Sequence, residues 1–198
     1  MSTEPTGLSE PKVDEIEKRL DRAAQQDHRA PVVFACRCAL RVFPMLAWPD
    51  SGDFFWPEGK AKSLLSVWWS LVSGYTYQNT SDVILSSANV RNIAARASLG
   101  SDNNKIVSAM KAADFDSGVS SNKARKVLQG IKSATSVNAF VGLSVDTLLD
   151  KEFSILEEQG TQRLKVMPLW LDDPDSHDYL NLVEKYLPEA LHQLAEQS

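Results

Sequence analysis

Pro31-Val32-Val33-Phe34-Ala35-Cys36-Arg37-Cys38-Ala39-Leu40-Arg41-Val42-Phe43 is apolar at every position except Arg37 and Arg41. Pro31 suits the first turn of a helix, where its missing N–H costs nothing. A helix that is apolar almost all round belongs at the centre of a core. Arg37 and Arg41, four residues apart, form its only polar stripe. The run Ala30 to Trp48 approaches the length of a bilayer span, but two central arginines cost several kcal/mol (roughly 2.5–3.5 each) in hydrocarbon and Pro44 follows them. The expectation is a buried helix whose two guanidinium groups are held by carboxylates from elsewhere in the chain.

The candidate source is visible in the charge distribution. Residues 1–30 carry −2, 31–81 carry +1, 82–142 carry +4 and 143–198 carry −8, for a net −5. The acidic last quarter is therefore the expected partner of Arg37 and Arg41. An acidic chain overall is a poor whole-surface polyanion binder. The basic middle leaves open a local anion-binding face at Arg91, Arg96, Lys123, Arg125 and Lys126. Its interleaved residues are Ala, Ser and Asn rather than aromatics, which gives no support to base stacking.

Upstream, Ser9-Glu10-Pro11 reads as a helix start, and Val13, Ile16, Leu20 and Ala23 recur at helical spacing on an otherwise charged segment. Residues 10–27 are expected to form a peripheral helix that docks on the rest or pairs as a short coiled coil. Downstream, Ala47 to Lys60 contains Pro49, Gly52, Pro57 and Gly59 and reads as a loop. It is crowded with Trp48, Phe54, Phe55 and Trp56, which either complete the core or form a partner-binding surface.

Beyond the loop, Ala61 to Ser73 places Ser63, Ser66, Ser70 and Ser73 on one stripe and fills the rest with Leu64, Leu65, Val67, Trp68, Trp69, Leu71 and Val72. Small serines permit close helix packing, and Gly74 is the expected end. Helices then follow from Thr80 or Ser81 to about Leu99, from Lys105 to Ala113, from Ser120 or Ser121 through Ile131, and from Ser144 to Gly160. A last amphipathic segment carries Tyr179, Leu182, Val183, Tyr186, Leu187, Leu191 and Leu194. No segment sustains strand alternation. The sequence predicts an all-α fold, an irregular bundle of seven or eight helices in a single domain over residues 1–198, and 198 residues with 43% hydrophobic content suffice for one core.

For chemistry, the residue types are sparse. Three histidines, His28, His177 and His192, lie near expected helix ends, and no Gly-x-Ser-x-Gly elbow or phosphate-binding glycine loop is present. Cys36 and Cys38 point about 200° apart on a helix and are unsuited to a mutual disulfide. Asp172, Asp173, Asp175, His177 and Asp178 could supply metal ligands, but their spacing equally describes an acidic turn and helix start. No catalytic residue, metal or cofactor is assigned. Met1 to Pro11 lacks the basic start and apolar run of a secretory signal, so a reducing cytoplasm is expected.

The run Arg37-Cys38-x-Leu40-Arg41-x-x-Pro44-x-Leu46, followed by a small-residue helical region and then Leu169-Trp170, resembles a poorly characterised bacterial helical domain rich in alanine. That domain shares the arginine-cysteine-x-leucine-arginine core. The present chain has fewer alanines and lacks a tryptophan-rich C-terminal segment, and no functional residue is carried over. The resulting expectation is a cytoplasmic, non-enzymatic protein-interaction or regulatory module of a bacterial system. The alternatives are a nucleic-acid-binding factor using residues 82–142 and, behind it, a metal-dependent hydrolase.

Overall fold

The computed structural model describes residues 10–47, 59–76, 80–100, 104–114, 131, 146–169 and 181. Among them are six α-helices and one short 3-10 helix, and no strand: α1 Glu10–Gln26, α2 Ala30–Val42, the 3-10 helix Phe43–Ala47, α3 Lys60–Thr76, α4 Thr80–Gly100, α5 Asn104–Ala112 and α6 Asp146–Val166. The all-α class is as expected. The count of seven or eight included a helix through Ile131 and one from Tyr179 to Leu194, and these fall outside the described residues except for Ile131 and Asn181. Ile131 is fully buried in the core.

α2 is the centre. It packs against α1, α3, α5 and α6 as well as the 3-10 helix that continues it. All of its residues except Leu40 are buried, in keeping with an all-round apolar surface. Phe34 stacks on Phe153 of α6 with ring centroids 4.1 Å apart. α3 and α4 pack together, α5 packs on α4, and α5 also closes over the 3-10 helix. The serine stripe permits this approach: Ser63, Ser70 and Ser73 are buried, and the Ser70 hydroxyl donates to the Ala113 carbonyl at 2.7 Å.

α1 docks through the expected seam, with Ile16, Leu20 and Ala23 buried and Val13 partly covered, against α2 and α6. Above the seam Lys12 donates to Asp150 at 2.7 Å, and Arg19 donates to both oxygens of Glu157 at 3.0 and 2.8 Å. The Arg19 guanidinium also lies 4.5 Å from the Phe153 ring centre. Pairs at the protein surface contribute about 0–1 kcal/mol each, so the apolar seam carries most of the docking even though the Lys12–Asp150 pair is partly buried. A tight turn follows α1, where Arg29 forks onto Asp27 from Nε at 2.9 Å and Nη2 at 3.0 Å. These bonds hold the Asp27 carboxyl well below its ordinary range.

Arg37 and Arg41 are almost completely buried, and so is Glu152 of α6 between them. Arg37 Nε donates to Glu152 Oε1 at 2.5 Å, and Arg41 donates from Nη2 to Oε1 at 2.5 Å and from Nη1 to Oε2 at 3.1 Å. The remaining donors bind the chain leaving α6. Arg37 reaches the carbonyls of Met167 at 2.9 Å and Pro168 at 2.7 Å, and Arg41 Nε reaches that of Leu169 at 2.6 Å. Among the described residues the acidic last quarter supplies the expected carboxylate as Glu152, shared by both arginines and supplemented by three backbone carbonyls.

Two expected helix ends move. Gly74 does not stop α3, which continues to Thr76 with Gly74 buried inside it. A glycine beside a packed neighbour can stay helical when burial outweighs its roughly 1 kcal/mol propensity cost. Gly160 does break the helix, with φ 80° and ψ 176°, but a second helical stretch resumes and runs to Val166. The break lets Leu164 return to the core and brings the 167–169 carbonyls to the arginines.

Two stability outcomes follow. Glu152→Gln removes the carboxylate charge that Arg37 and Arg41 share and should cost about 3–5 kcal/mol of unfolding free energy. Arg37→Met should cost less, because the Arg41–Glu152 pair survives it. Equal losses in urea titrations would contradict the sharing of one carboxylate. Gly160→Ala should cost about 1–3 kcal/mol from backbone strain alone, because an added Cβ meets no atom within 4 Å. D-alanine introduced there by semisynthesis should restore stability, and a neutral Gly160→Ala melt would show that the turn relaxes freely.

Candidate functional site

α3 has two apolar faces, because its sequence LysAlaLysSerLeuLeuSerValTrpTrpSerLeuValSerGlyTyrThr places apolar residues on both sides of the serines. Leu64, Val67 and Leu71 are buried in the core. Leu65, Trp68, Trp69 and Val72, at the i, i+3, i+4 and i+7 positions of a second stripe, turn the other way. Leu65 is 65% exposed, Trp68 48% and Trp69 58%, while Val72 is half-buried. Phe43 supports the near side of the ridge, its ring centroid 5.7 Å from that of Trp68.

Other large apolar side chains exposed among the described residues are Leu85 and Leu99 on α4 and Val166 on α6. Scattered apolar residues of this kind are common on protein surfaces. Leu65, Trp68 and Trp69 differ in lying together on one helical stripe as an exposed apolar ridge. The charged residues of α3 are Lys60 and Lys62, both in its first turn, with no acidic residue along its length. Burial holds the Lys60 ammonium below its ordinary pKa.

The reading of α3 from sequence grouped Leu65, Trp68 and Trp69 with Leu64, Val67, Leu71 and Val72 as the apolar residues off the serine stripe, without separating a buried row from an exposed one. The available signal was the spacing itself: 64, 67 and 71 form one apolar row and 65, 68, 69 and 72 a second. A helix needs only one such row to pack on a two-layer core.

The expected partner-binding residues Trp48, Phe54, Phe55 and Trp56 lie outside the described residues. So do Lys123, Arg125 and Lys126 of the expected anion-binding set, and the acidic cluster from Asp172 to Asp178 with His177. Arg91 and Arg96 are both exposed on α4. Arg91 forks onto Asp114, Nε to Oδ2 and Nη2 to Oδ1, each at 2.8 Å. That carboxylate offsets part of the positive field expected of residues 82–142. His28 is exposed in the turn after α1, and His192 lies outside the described residues.

Cys36 and Cys38 are free and buried. The Cys36 thiol donates to the Leu71 carbonyl at 3.0 Å. Burial pushes the thiol of Cys38 up to about 12 and that of Cys36 well above its ordinary value. No cluster of three or more metal-ligating side chains occurs among the described residues, and no described helix is long and apolar enough to cross a membrane. Compared with protein-family models, curated proteins and solved structures, the chain matches none of them.

The thiols give this region its test. At about pH 8 both should stay protonated and unreactive towards iodoacetamide in the folded protein, and label only as fast as the protein unfolds. Reductant should leave the melting temperature unchanged. Labelling of either cysteine faster than global unfolding would place a thiol within reach of solvent.

Proposed function

We propose that this protein acts as a helical protein-interaction module, an adaptor or regulatory component, whose contact surface is the Leu65–Trp68–Trp69–Val72 ridge of α3. The observation that carries the reading is the exposure of two adjacent tryptophans and a leucine on one stripe of a helix whose opposite stripe is anchored in the core. Tryptophan brings a large apolar area with few rotatable bonds, and it dominates measured interface energies. A rigid helix is also a better platform than a loop, because its side chains are placed without an ordering cost at the moment of binding.

The placement within the fold supports the same role. α3 is held on its inner side by α2 and α4, and Trp68 is the ridge residue with a ring contact to Phe43 at the edge of the core. Two unbridged, buried thiols fit a reducing cytoplasm. The acidic last quarter is used in part for internal pairing, as Glu152 with Arg37 and Arg41 and Glu157 with Arg19 show, and within the basic middle Arg91 is paired with Asp114. This favours a protein ligand over a phosphate backbone.

The test separates binding from folding. Leu65→Ser with Trp69→Ser should leave the unfolding free energy within about 0.5 kcal/mol, as substitutions of exposed residues usually do. The same variant should lose protein partners captured by the unaltered chain from its native host. A large fall in melting temperature would assign the ridge to the fold, and unchanged capture by a stable variant would move the contact surface elsewhere.

A further inference from the structure

We propose that α1 is a detachable strap: it leaves α2 and α6 as one unit, with Arg19 as its catch, while the rest of the fold stays closed, and it thereby uncovers the face of Phe153. α1 is held differently from the way α2 and α6 are held to each other. Nine of its seventeen residues are charged, and its buried apolar positions, Ile16, Leu20 and Ala23, form one narrow seam. α2 is buried on nearly every side and is tied to α6 by the bonds of Arg37 and Arg41 to Glu152 and to the 167–169 carbonyls. Those bonds remain when α1 leaves. Segments held by few buried apolar contacts open at lower free energy than the core.

Charge pairs set the register of the strap. Lys12 with Asp150 and Arg19 with Glu157 are each 138 residues apart, so a step of seven on α1 matches a step of seven on α6. The two helices therefore run parallel, with an apolar seam and flanking charges arranged like one side of a coiled coil. Most of the polar contacts converge on Arg19. Its guanidinium forks onto Glu157 at 3.0 and 2.8 Å, reaches Asp150 at 3.4 Å and lies over the Phe153 ring, which in turn stacks on Phe34. Asp150 and Glu157 each keep a third or more of the side chain in solvent, so dissolved salt reaches these pairs and weakens them.

The start of α2 does not depend on a docked α1. The Arg29 N–H donates to Asp27 Oδ1 at 3.0 Å, the Ala30 N–H to the Asp27 carbonyl at 2.9 Å and the Val33 N–H to the Arg29 carbonyl at 3.0 Å. These bonds lie within residues 27–33 and keep the first turn of α2 closed. A highly charged helix of seventeen residues is marginal by itself in water. Undocking and unwinding of α1 are therefore one event, which amide exchange reads.

Residue-resolved hydrogen exchange of the full chain at rising, sub-denaturing urea tests this. The expected result is that the amides of residues 14–26 converge on one opening equilibrium, with protection about tenfold or more below that of α2. Raising the salt from about 0.01 to about 1 M shortens the screening length from about 30 to about 3 Å and should lower α1 protection several-fold relative to α2. Arg19→Ala should lower it by roughly tenfold, through loss of the surface pairs and the cation–π contact. Lys18→Ala, on the exposed face of the same helix, should leave it unchanged.

Exchange of α1 with the same opening equilibrium as α2 would overturn the strap by making α1 part of one cooperative core, and the unaltered chain decides this whatever the variants do. Protection that climbs steadily from Asp14 to Gln26 would overturn release as a unit in favour of fraying from one end. Protection of α1 unmoved by Arg19→Ala, or lost equally in α1 and α2, would overturn the assignment of Arg19 as the catch.

Discussion

Two buried arginines sharing one buried glutamate set the terms for the rest of this protein. Arg37 and Arg41 cannot lie in the middle of an apolar helix without a counter-charge, and Glu152 arrives from a helix more than a hundred residues later in the chain. A charge of this kind in low dielectric is costly unless its geometry is nearly complete. The completion comes from three consecutive carbonyls at 167–169, which accept the donors that Glu152 leaves over. The cluster thereby specifies where α6 must lie, how far along α2 it must sit, and where the chain must turn back. Apolar residues of similar volume could fill the same space, but they would fix none of these positions as sharply.

The break at Gly160 is a consequence of that requirement. A straight helix from Asp146 would carry residues 167–169 past the end of α2. The left-handed turn redirects the last helical stretch so that Leu164 packs in the core and the following carbonyls meet the guanidinium groups. Tyr75, at the end of α3, donates its hydroxyl to the Lys165 carbonyl, and the Lys165 ammonium lies 5.8 Å from the Tyr75 ring centre. The end of α3 is therefore anchored to the same returning segment. The orientation of the exposed ridge is linked in this way to the buried cluster, and a rigid ridge is what a contact surface needs.

α3 shows how one helix can serve the core and the surface together. Its serines let α4 and the end of α5 approach closely, while leucines and valines between them fill the interior. The tryptophans leave about half of their surface outside that packing. Their cost is exposed apolar area, which tends to promote nonspecific association unless a partner covers it. Retaining two of them side by side on a well-anchored helix is consistent with a specific occupant.

Much of the fold was legible locally. The all-round apolar pattern of residues 31–43 located the central helix, the seam Val13, Ile16, Leu20 and Ala23 gave the docking face of α1, and the need for carboxylates around Arg37 and Arg41 followed from charge burial alone. Such features are encoded by residue type and spacing on one element, so no knowledge of its neighbours is needed. Three things were decided only by the tertiary structure: which carboxylate serves the arginines, how the chain continues beyond Gly160, and which apolar row of α3 faces out. Several acidic residues in the last quarter satisfied the same charge requirement, and the local bias of glycine towards ending a helix, roughly 1 kcal/mol, is small enough for tertiary packing to override. A helix with apolar residues on two sides presents the same periodicity whichever side is buried, so only the neighbours packed against Leu64, Val67 and Leu71 leave Leu65, Trp68 and Trp69 to solvent.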